Sequence, residues 1–200
     1  MGRYVVSLDS REARKEQLAG GKGANLARLR REGFPVPPGY VITPVALRAL
    51  LSQPSIALVA QKTDWSEDEL QQIRAFLHDW PLPDGLSRRV ARAYETLGGS
   101  VAVRSSMVGE DSPLASFAGQ LDTILNVQGD EALLDAVKRC WASAFDPRVF
   151  AYLKERADAS SVAPVLASLS VAVVVQRMVD AQAAGVAFSA AEPSITSVFA

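Results

Sequence analysis

Short apolar runs set between turn-forming residues predict five β-strands along the chain. Each run is rich in valine, isoleucine, leucine or tyrosine, and glycine, proline or small polar residues bound it. Such runs are typical of strands in a sheet. A further apolar stretch, residues 186–189, follows the last run and is expected to be its hairpin partner. The five predicted strands cover residues 4–8, 40–43, 101–103, 121–127 and 170–179.

Apolar residues that recur at helical spacing predict helices between these strands. Ser66 and Glu69 have the spacing of a capping box, in which each side chain accepts a hydrogen bond from the other residue's backbone. Thr43-Pro44 has the form of an N-cap followed by proline at the first helical position. The predicted helices cover residues 24–32, 44–51, 66–77, 86–97, 130–144 and 147–153.

A chain of 200 residues is long enough for one large domain or two small ones.

Composition and charge exclude several classes of protein. Apolar residues make up 48% of the chain and charged residues 22%, as in ordinary soluble domains, and the net charge of -1 gives no case for a nucleic-acid or membrane-surface binder. The one cysteine, Cys140, excludes an internal disulfide and a cysteine-rich zinc site. His78 is the only histidine, and we expect it to be structural or solvent-facing. No signal peptide or membrane helix is evident, so a cytoplasmic location is expected.

The stretch from residue 100 to residue 126 carries the first candidate chemistry. A predicted strand ends there in Arg104, Ser105 and Ser106, and a loop crowded with glycine, serine and acidic residues follows. Loops held by rigid strands are common places for binding residues. The planar guanidinium of Arg104, beside hydroxyl groups, suits a phosphate because it can donate paired charged hydrogen bonds. A solvated loop beside a surface arginine is an equally good interpretation of this stretch alone.

A second stretch with candidate binding chemistry is the glycine-rich segment Gly20-Gly21-Lys22-Gly23. It is predicted to be a turn that leads into a helix with Leu26 and Leu29 on one side and arginines toward water. A turn of this kind can bind an anion, because the unpaired N–H groups at a helix start point outward. The Walker pattern is absent, and Gly23 stands where that pattern needs serine or threonine for magnesium. A helix start with a solvated lysine is the alternative.

Four sequence blocks, taken in order, resemble a known family. The chain is similar to the N-terminal nucleotide-binding domain of phosphoenolpyruvate synthase and pyruvate phosphate dikinase, and rifampicin phosphotransferases carry a similar domain. The resemblance extends over nearly the whole chain, to about residue 190. The blocks are GGKGANLARLRREGFPVPPGYVIT, then VAVRSS with GEDSPLASFAGQLDTILNV, then ALLDAVKRCWASAFDPRVFAY, then VAVVVQRMVDAQAAGVAFSA.

The resemblance implies an α+β, ATP-grasp-like fold, in which two lobes hold ATP between them. On this resemblance we expect residues 1–200 to be one ATP-binding domain, with a division into sub-lobes 1–99 and 100–200. On matching positions, Lys22 and Arg104 would reach the ATP phosphates and act in catalysis, and the 105–119 loop would fold over those phosphates. The other residues implied in nucleotide binding are Ser116 and Gly119 beside the phosphates, Gln120, Asp122 and Thr123 at the nucleotide, and Gln176, Met178 and Val179 at the adenine.

The resemblance also implies that this chain is the N-terminal portion of a larger fold. The family's magnesium carboxylates and a further phosphate-binding arginine lie later than residue 200, and residues 191–195 depart from the family's usual continuation. The expected function is the ATP-binding portion of an ATP-dependent phosphotransferase. Mg²⁺ ligands and a phosphohistidine domain would be supplied from outside this chain. A non-catalytic nucleotide-binding module and an inactive truncated remnant are the alternatives.

Overall fold

A five-stranded antiparallel sheet is the centre of the structure. The computed structural model describes residues 4–62, 64–107, 121–156 and 171–185. The strands are β1 (Val5–Ser7), β2 (Gly39–Ile42), β3 (Val101–Met107), β4 (Thr123–Val127) and β5 (Val171–Arg177). The helices are α1 (Glu16–Arg31), α2 (Pro44–Leu51), α3 (Ala57–Ala60), α4 (Glu67–Asp79), α5 (Asp84–Leu97), α6 (Asp130–Ser143) and α7 (Pro147–Arg156), and a 3₁₀ turn, Glu12–Arg14, precedes α1.

The last described strand along the chain, β5, lies in the middle of the sheet. The strand order is β1-β2-β5-β3-β4, so β5 pairs with β2 on one side and with β3 on the other. Val173, for example, stands opposite Ile42 and opposite Ser105. Strands from both predicted sub-lobes, 1–99 and 100–200, therefore pair in one sheet, and the division itself stays a prediction.

Helices cover both faces of this sheet. On one face, valines of β3 and β5 pack with α2, α4, α5 and α6 in the larger core cluster, which includes Leu47, Ile73, Val90 and Trp141. On the other face, α1 packs in a smaller cluster of alanines and valines. Because side chains alternate between the faces of a strand, β5 must be apolar on both sides. Its run of valines and alanine, residues 171–175, is fully buried.

Most of the predicted elements are confirmed within one or two residues. The capping box is present, since Glu69 N–H donates to Ser66 Oγ at 3.3 Å and Ser66 N–H donates to Glu69 Oε2 at 3.0 Å. Pro44 begins α2 after Thr43, as its sequence predicted. His78 is exposed at the end of α4, as expected. The predicted hairpin partner, residues 186–189, lies outside the described residues.

Two predictions about local structure were wrong in part. The glycine-rich segment does interrupt the helix, at Gly20, but a helical segment from Glu16 also precedes it, so it lies inside α1 and not before it. The side of α1 that packs on the sheet is lined by Ala24 and Ala27, whereas Leu29 is 42% exposed. Small residues on the packed side let the helix backbone lie close to the strands.

β3 is also longer than the predicted run. It continues to Met107, so Arg104, Ser105 and Ser106, which were predicted at the end of the strand, lie within it. Both serines are buried, at 1% and 0% exposure. Their hydroxyl groups therefore need partners inside the protein.

Gly39 allows β2 and β5 to approach each other closely. A Cβ added at Gly39 would lie 2.5 Å from the carbonyl oxygen of Val175. We expect Gly39→Ala to lower the free energy of unfolding by about 1–3 kcal/mol, as overpacking in a core does. Urea unfolding measures this. Gly85→Ala in α5 is the matched control, because its new methyl group meets nothing within 4 Å; equal destabilisation by the two changes would contradict this account of Gly39.

Candidate functional site

A kink divides α1 at Gly20. This residue has φ 66° and ψ 176°, while the helix continues on both sides of it. A Cβ at Gly20 would lie 2.3 Å from both the carbonyl oxygen and the Oγ of Ser106 on β3. Both the positive φ and the close approach require glycine here.

The hydroxyl of Ser106 joins the two sides of this kink. Ser106 Oγ donates a hydrogen bond to the carbonyl oxygen of Ala19 at 2.8 Å, and it accepts one from the N–H of Gly23 at 3.1 Å. The first N–H groups of a helix lack partners within the helix. Ser106 thus caps the second half of α1 from a neighbouring strand, as an N-cap residue would do from the same chain segment. Lys22 lies in the turn that is capped.

Arg104 lies on the same face of the sheet as this kink. It precedes Ser106 by two residues on β3, and side chains at that spacing share a face. Its neighbours across the sheet are Val174 on β5 and Thr123 on β4. The side chain is half-buried, and within the described parts of the chain its guanidinium has no carboxylate partner. A cation in this position is available to an anion.

The start of β4 is held from the opposite face of the sheet. Ser105 N–H donates to the carbonyl oxygen of Asp122 at 3.1 Å, and Asp122 N–H donates to Ser143 Oγ at 3.3 Å. Ser105 Oγ also lies 3.0 Å from the carbonyl oxygen of Cys140. Both backbone groups of Asp122 are therefore fixed, while the residue itself and Thr123 are exposed. The chain is anchored here and leaves two polar side chains on the surface.

Cys140 belongs to this anchor and has no catalytic character. Burial raises the pKa of its thiol to about 12. A thiol with such a pKa stays protonated at neutral pH, and only the thiolate is a good nucleophile or metal ligand.

The end of β5 is tied to two other segments. Gln176 is 7% exposed, and its Nε2 donates to the carbonyl oxygen of Pro37 at 3.1 Å. The N–H of Met178 donates to the carbonyl oxygen of Ser100 at 2.9 Å. Val179, the next residue, is 60% exposed. The predicted contacts of these residues with adenine stay predictions, and the N–H of Met178 already has a partner within the protein.

Four of the residues predicted to bind the nucleotide lie on the side of the sheet that α1 covers. Lys22 lies on α1, and Arg104 and Thr123 share the α1 face of the sheet. Gln176 stands opposite Ala102, which lies two residues before Arg104 on β3 and so shares its face. Of the remaining predicted residues, Asp122 precedes Thr123 in the chain, and Met178 and Val179 follow the end of β5. The other three, Ser116, Gly119 and Gln120, lie outside the described residues.

The sequence analysis missed the structural role of two residues at this site, Gly20 and Ser106. A weak signal for both was present. Ala102, Arg104 and Ser106 alternate along β3, so a small hydroxyl residue on the arginine's face was visible. That this hydroxyl would meet a kink in a helix more than 80 residues earlier in the chain was not visible.

A second concave region lies on the other face of the sheet. It is a cleft of about 290 Å³ between β1, β2 and α5, lined in part by Tyr40 and Arg177. Burial raises the pKa of Tyr40, whose hydroxyl donates to the carbonyl oxygen of Val90 at 3.4 Å. The guanidinium of Arg177 donates to the carbonyl oxygen of Leu97. The polar groups of this cleft are thus used within the protein, and Lys22 and Arg104 are not among its lining residues.

Across residues 4–62, 64–107, 121–156 and 171–185, no three histidine, cysteine or carboxylate side chains are grouped so as to hold a metal ion. In the same ranges, no helix has both the length and the apolar character needed to cross a bilayer.

Lys22, Arg104, Thr123 and Gln176 are side chains of the kinds that nucleotide-binding domains use to hold phosphorylated ligands. Comparison with known families agrees with this class. Residues 16–198 match the family described as pyruvate phosphate dikinase, AMP/ATP-binding domain. The chain belongs to this family.

Similar proteins include enzymes of two kinds. The chain is 38% identical to a probable phosphoenolpyruvate synthase of Methanothermobacter thermautotrophicus and 36% identical to a phosphoenolpyruvate synthase of Aeropyrum pernix. It is 38% identical to a rifampicin phosphotransferase of Streptomyces sviceus. Each alignment covers 94% of this chain but only 29%, 24% and 22% of the three relatives, in that order. The chain therefore spans less than a third of the length of these relatives.

The contact of Gly20 with Ser106 can be tested by substitution. Gly20→Ala is expected to lower the free energy of unfolding by more than the roughly 1–2 kcal/mol that a left-handed conformation costs an L-residue, because the new methyl group also overlaps Ser106. Gly98→Ala is the matched control, since Gly98 has the same φ of 66° with nothing within 4 Å of its added Cβ. Urea unfolding of both variants measures the difference. Equal losses would show that Ser106 does not restrict this position.

Proposed function

We propose that this chain binds ATP as part of a cytoplasmic phosphotransferase similar to phosphoenolpyruvate synthase. In this proposal the domain is one part of an ATP-grasp-like fold. The observation that carries it is the position of Arg104, a half-buried arginine beside the capped turn that contains Lys22. Membership of the AMP/ATP-binding family supports ATP as the bound nucleotide.

Lys22 and Arg104 would contact the phosphates of ATP in this site. Phosphoryl transfer needs positioning and electrostatic stabilisation above all, because negative charge is spread over the transferred group. A lysine offers a compact point charge and an arginine a planar fork, so the pair can hold two different phosphate oxygens. Both groups stand on rigid elements, α1 and β3, which favours a fixed geometry.

The polar residues near these cations would orient the nucleotide. Thr123 stands directly opposite Arg104 in the sheet and can donate a hydroxyl hydrogen bond to a phosphate oxygen or a ribose hydroxyl. Gln176 donates a hydrogen bond from its Nε2 to the carbonyl oxygen of Pro37, and this bond fixes the orientation of the side-chain amide and of its oxygen. Asp122, Met178 and Val179 would border the nucleotide, and Ser116, Gly119 and Gln120 would complete the site from outside the described residues.

Magnesium and the phosphate acceptor would come from elsewhere in the complete enzyme. Within the described residues, no three histidine, cysteine or carboxylate side chains are grouped around a metal position. We therefore assign no step of the reaction to a metal held by these residues. The proposed partner is a separate phosphohistidine domain or chain, which would receive the phosphoryl group.

The same observation supports a second candidate, a nucleotide-binding module without catalysis. The two candidates differ in whether the site supports phosphoryl transfer. Phosphate release by the purified chain with Mg-ATP would exclude the second candidate. Binding without release is expected of both, because the first candidate takes its magnesium ligands and phosphate acceptor from outside this chain.

The phosphate contacts can be tested by calorimetry with Mg-ATP. Lys22→Ala and Arg104→Ala should each weaken ATP binding about 10- to 100-fold, because a hydrogen bond to a charged group contributes about 1.5–3 kcal/mol. Arg92→Ala is the matched control, since Arg92 is an exposed cation on α5. It should leave the dissociation constant unchanged.

Two outcomes would contradict the proposal. If the unmodified chain fails to bind Mg-ATP, the function itself is wrong. If the chain binds ATP but both variants bind it equally well, the ligand lies elsewhere. Circular dichroism and urea unfolding must first show that the variants are folded, because a lost fold would mimic a lost contact.

A further inference from the structure

Ser106 is not among the residues proposed to contact the nucleotide. It is fully buried between β3 and α1, so it cannot touch a ligand directly. Its hydroxyl is nevertheless fully used, as a donor to Ala19 and an acceptor from Gly23. These bonds join residues 83 and 87 positions apart in the chain.

A purely apolar contact could not replace this arrangement. Without the hydroxyl, the N–H of Gly23 and the carbonyl of Ala19 would remain buried without these partners. The close approach of Gly20 to Ser106, at 2.3 Å for an added Cβ, also leaves little space for a larger side chain. The position therefore needs a residue that is both small and able to donate and accept.

The two proposed phosphate contacts stand on either side of this hydroxyl. Lys22 lies between Gly20, which meets Ser106, and Gly23, which donates to it. Arg104 lies two residues earlier on β3, which places its Cα about 7 Å from that of Ser106 at the usual rise of a strand.

We propose that Ser106 is a positioning residue, which holds Lys22 and Arg104 in one geometry for binding phosphate. The inference rests on the proposed function, because it assumes that these two cations bind ATP. Ser106 acts on the ligand only through α1: it fixes where the turn with Lys22 begins relative to the strand that carries Arg104.

A double-mutant cycle tests this role. The chain is compared with Ser106→Ala, Lys22→Ala and the double variant by calorimetry with Mg-ATP and with adenosine. Ser106→Ala should weaken ATP binding about tenfold and leave adenosine binding within about twofold, because adenosine carries no phosphate. In the Lys22→Ala background the same change should have little further effect, since contacting residues that act together are not additive.

Loss of stability alone must be separated from this effect. Val90→Ala is the control, because Val90 is fully buried on α5 in the cluster on the opposite face of the sheet. It should lower the melting temperature without changing ATP affinity. If Ser106→Ala does not fold, Ser106→Cys replaces it, since it keeps a weaker donor and acceptor and changes only one atom, from oxygen to the larger sulfur. The cysteine variant should show a smaller loss of the same kind.

The outcomes distinguish this inference from the proposed function. If the unmodified chain does not bind ATP, the proposed function is wrong and the inference fails with it. If the chain binds ATP but the effects of Ser106→Ala and Lys22→Ala add, Ser106 does not act through Lys22 and the inference alone is overturned. Equal weakening of ATP and adenosine by Ser106→Ala would overturn it as well, because that result reports general loosening.

Discussion

The contact between Ser106 and the kink in α1 determines how the rest of this site is arranged. One hydroxyl satisfies a buried carbonyl and a buried N–H from the two sides of Gly20. Unpaired backbone groups in a protein interior cost about 1–3 kcal/mol each, so the kink and the hydroxyl depend on each other. The glycine allows the helix backbone to reach the strand, and the serine allows that backbone to be buried there.

β5 provides the frame in which this contact can form. The first two strands and α1 come from the beginning of the chain, and β3 with β4 come from its middle. β5 pairs with both sets, so it holds α1 and β3 side by side. Its valines must pack on two faces at once, which explains why residues 171–175 have no polar member. The site thus depends on pairings between distant parts of the sequence, and such pairings form slowly in folding.

The sequence was sufficient to predict elements that depend on neighbouring residues. The capping box of Ser66 and Glu69 is local, and it is present in the structure. The apolar strands likewise follow from residue types and their spacing, whereas the phosphate contacts of Arg104 and Lys22 stay predictions. The path of α1 through Gly20 could not be predicted in this way, because its partner, Ser106, is distant in sequence. The exposure of Leu29 was missed for the same kind of reason, since a pattern of leucines does not show that alanines are needed for close packing.

The charge of Arg104 gives a physical reason for the proposed phosphate ligand. Arg104 is half-buried, and its charged group has no carboxylate partner in the described residues, although the chain has 22 acidic residues and a net charge of only -1. Partial burial of an unpaired charge is unfavourable, and elsewhere in this protein cations such as Arg30 and Lys62 are paired with Asp9 and Glu69. A fold that leaves Arg104 without such a partner, beside a capped helix turn that carries Lys22, is more stable when a bound anion supplies the missing charge. The phosphates of the proposed nucleotide would meet that requirement, and binding would then also stabilise the fold at this site.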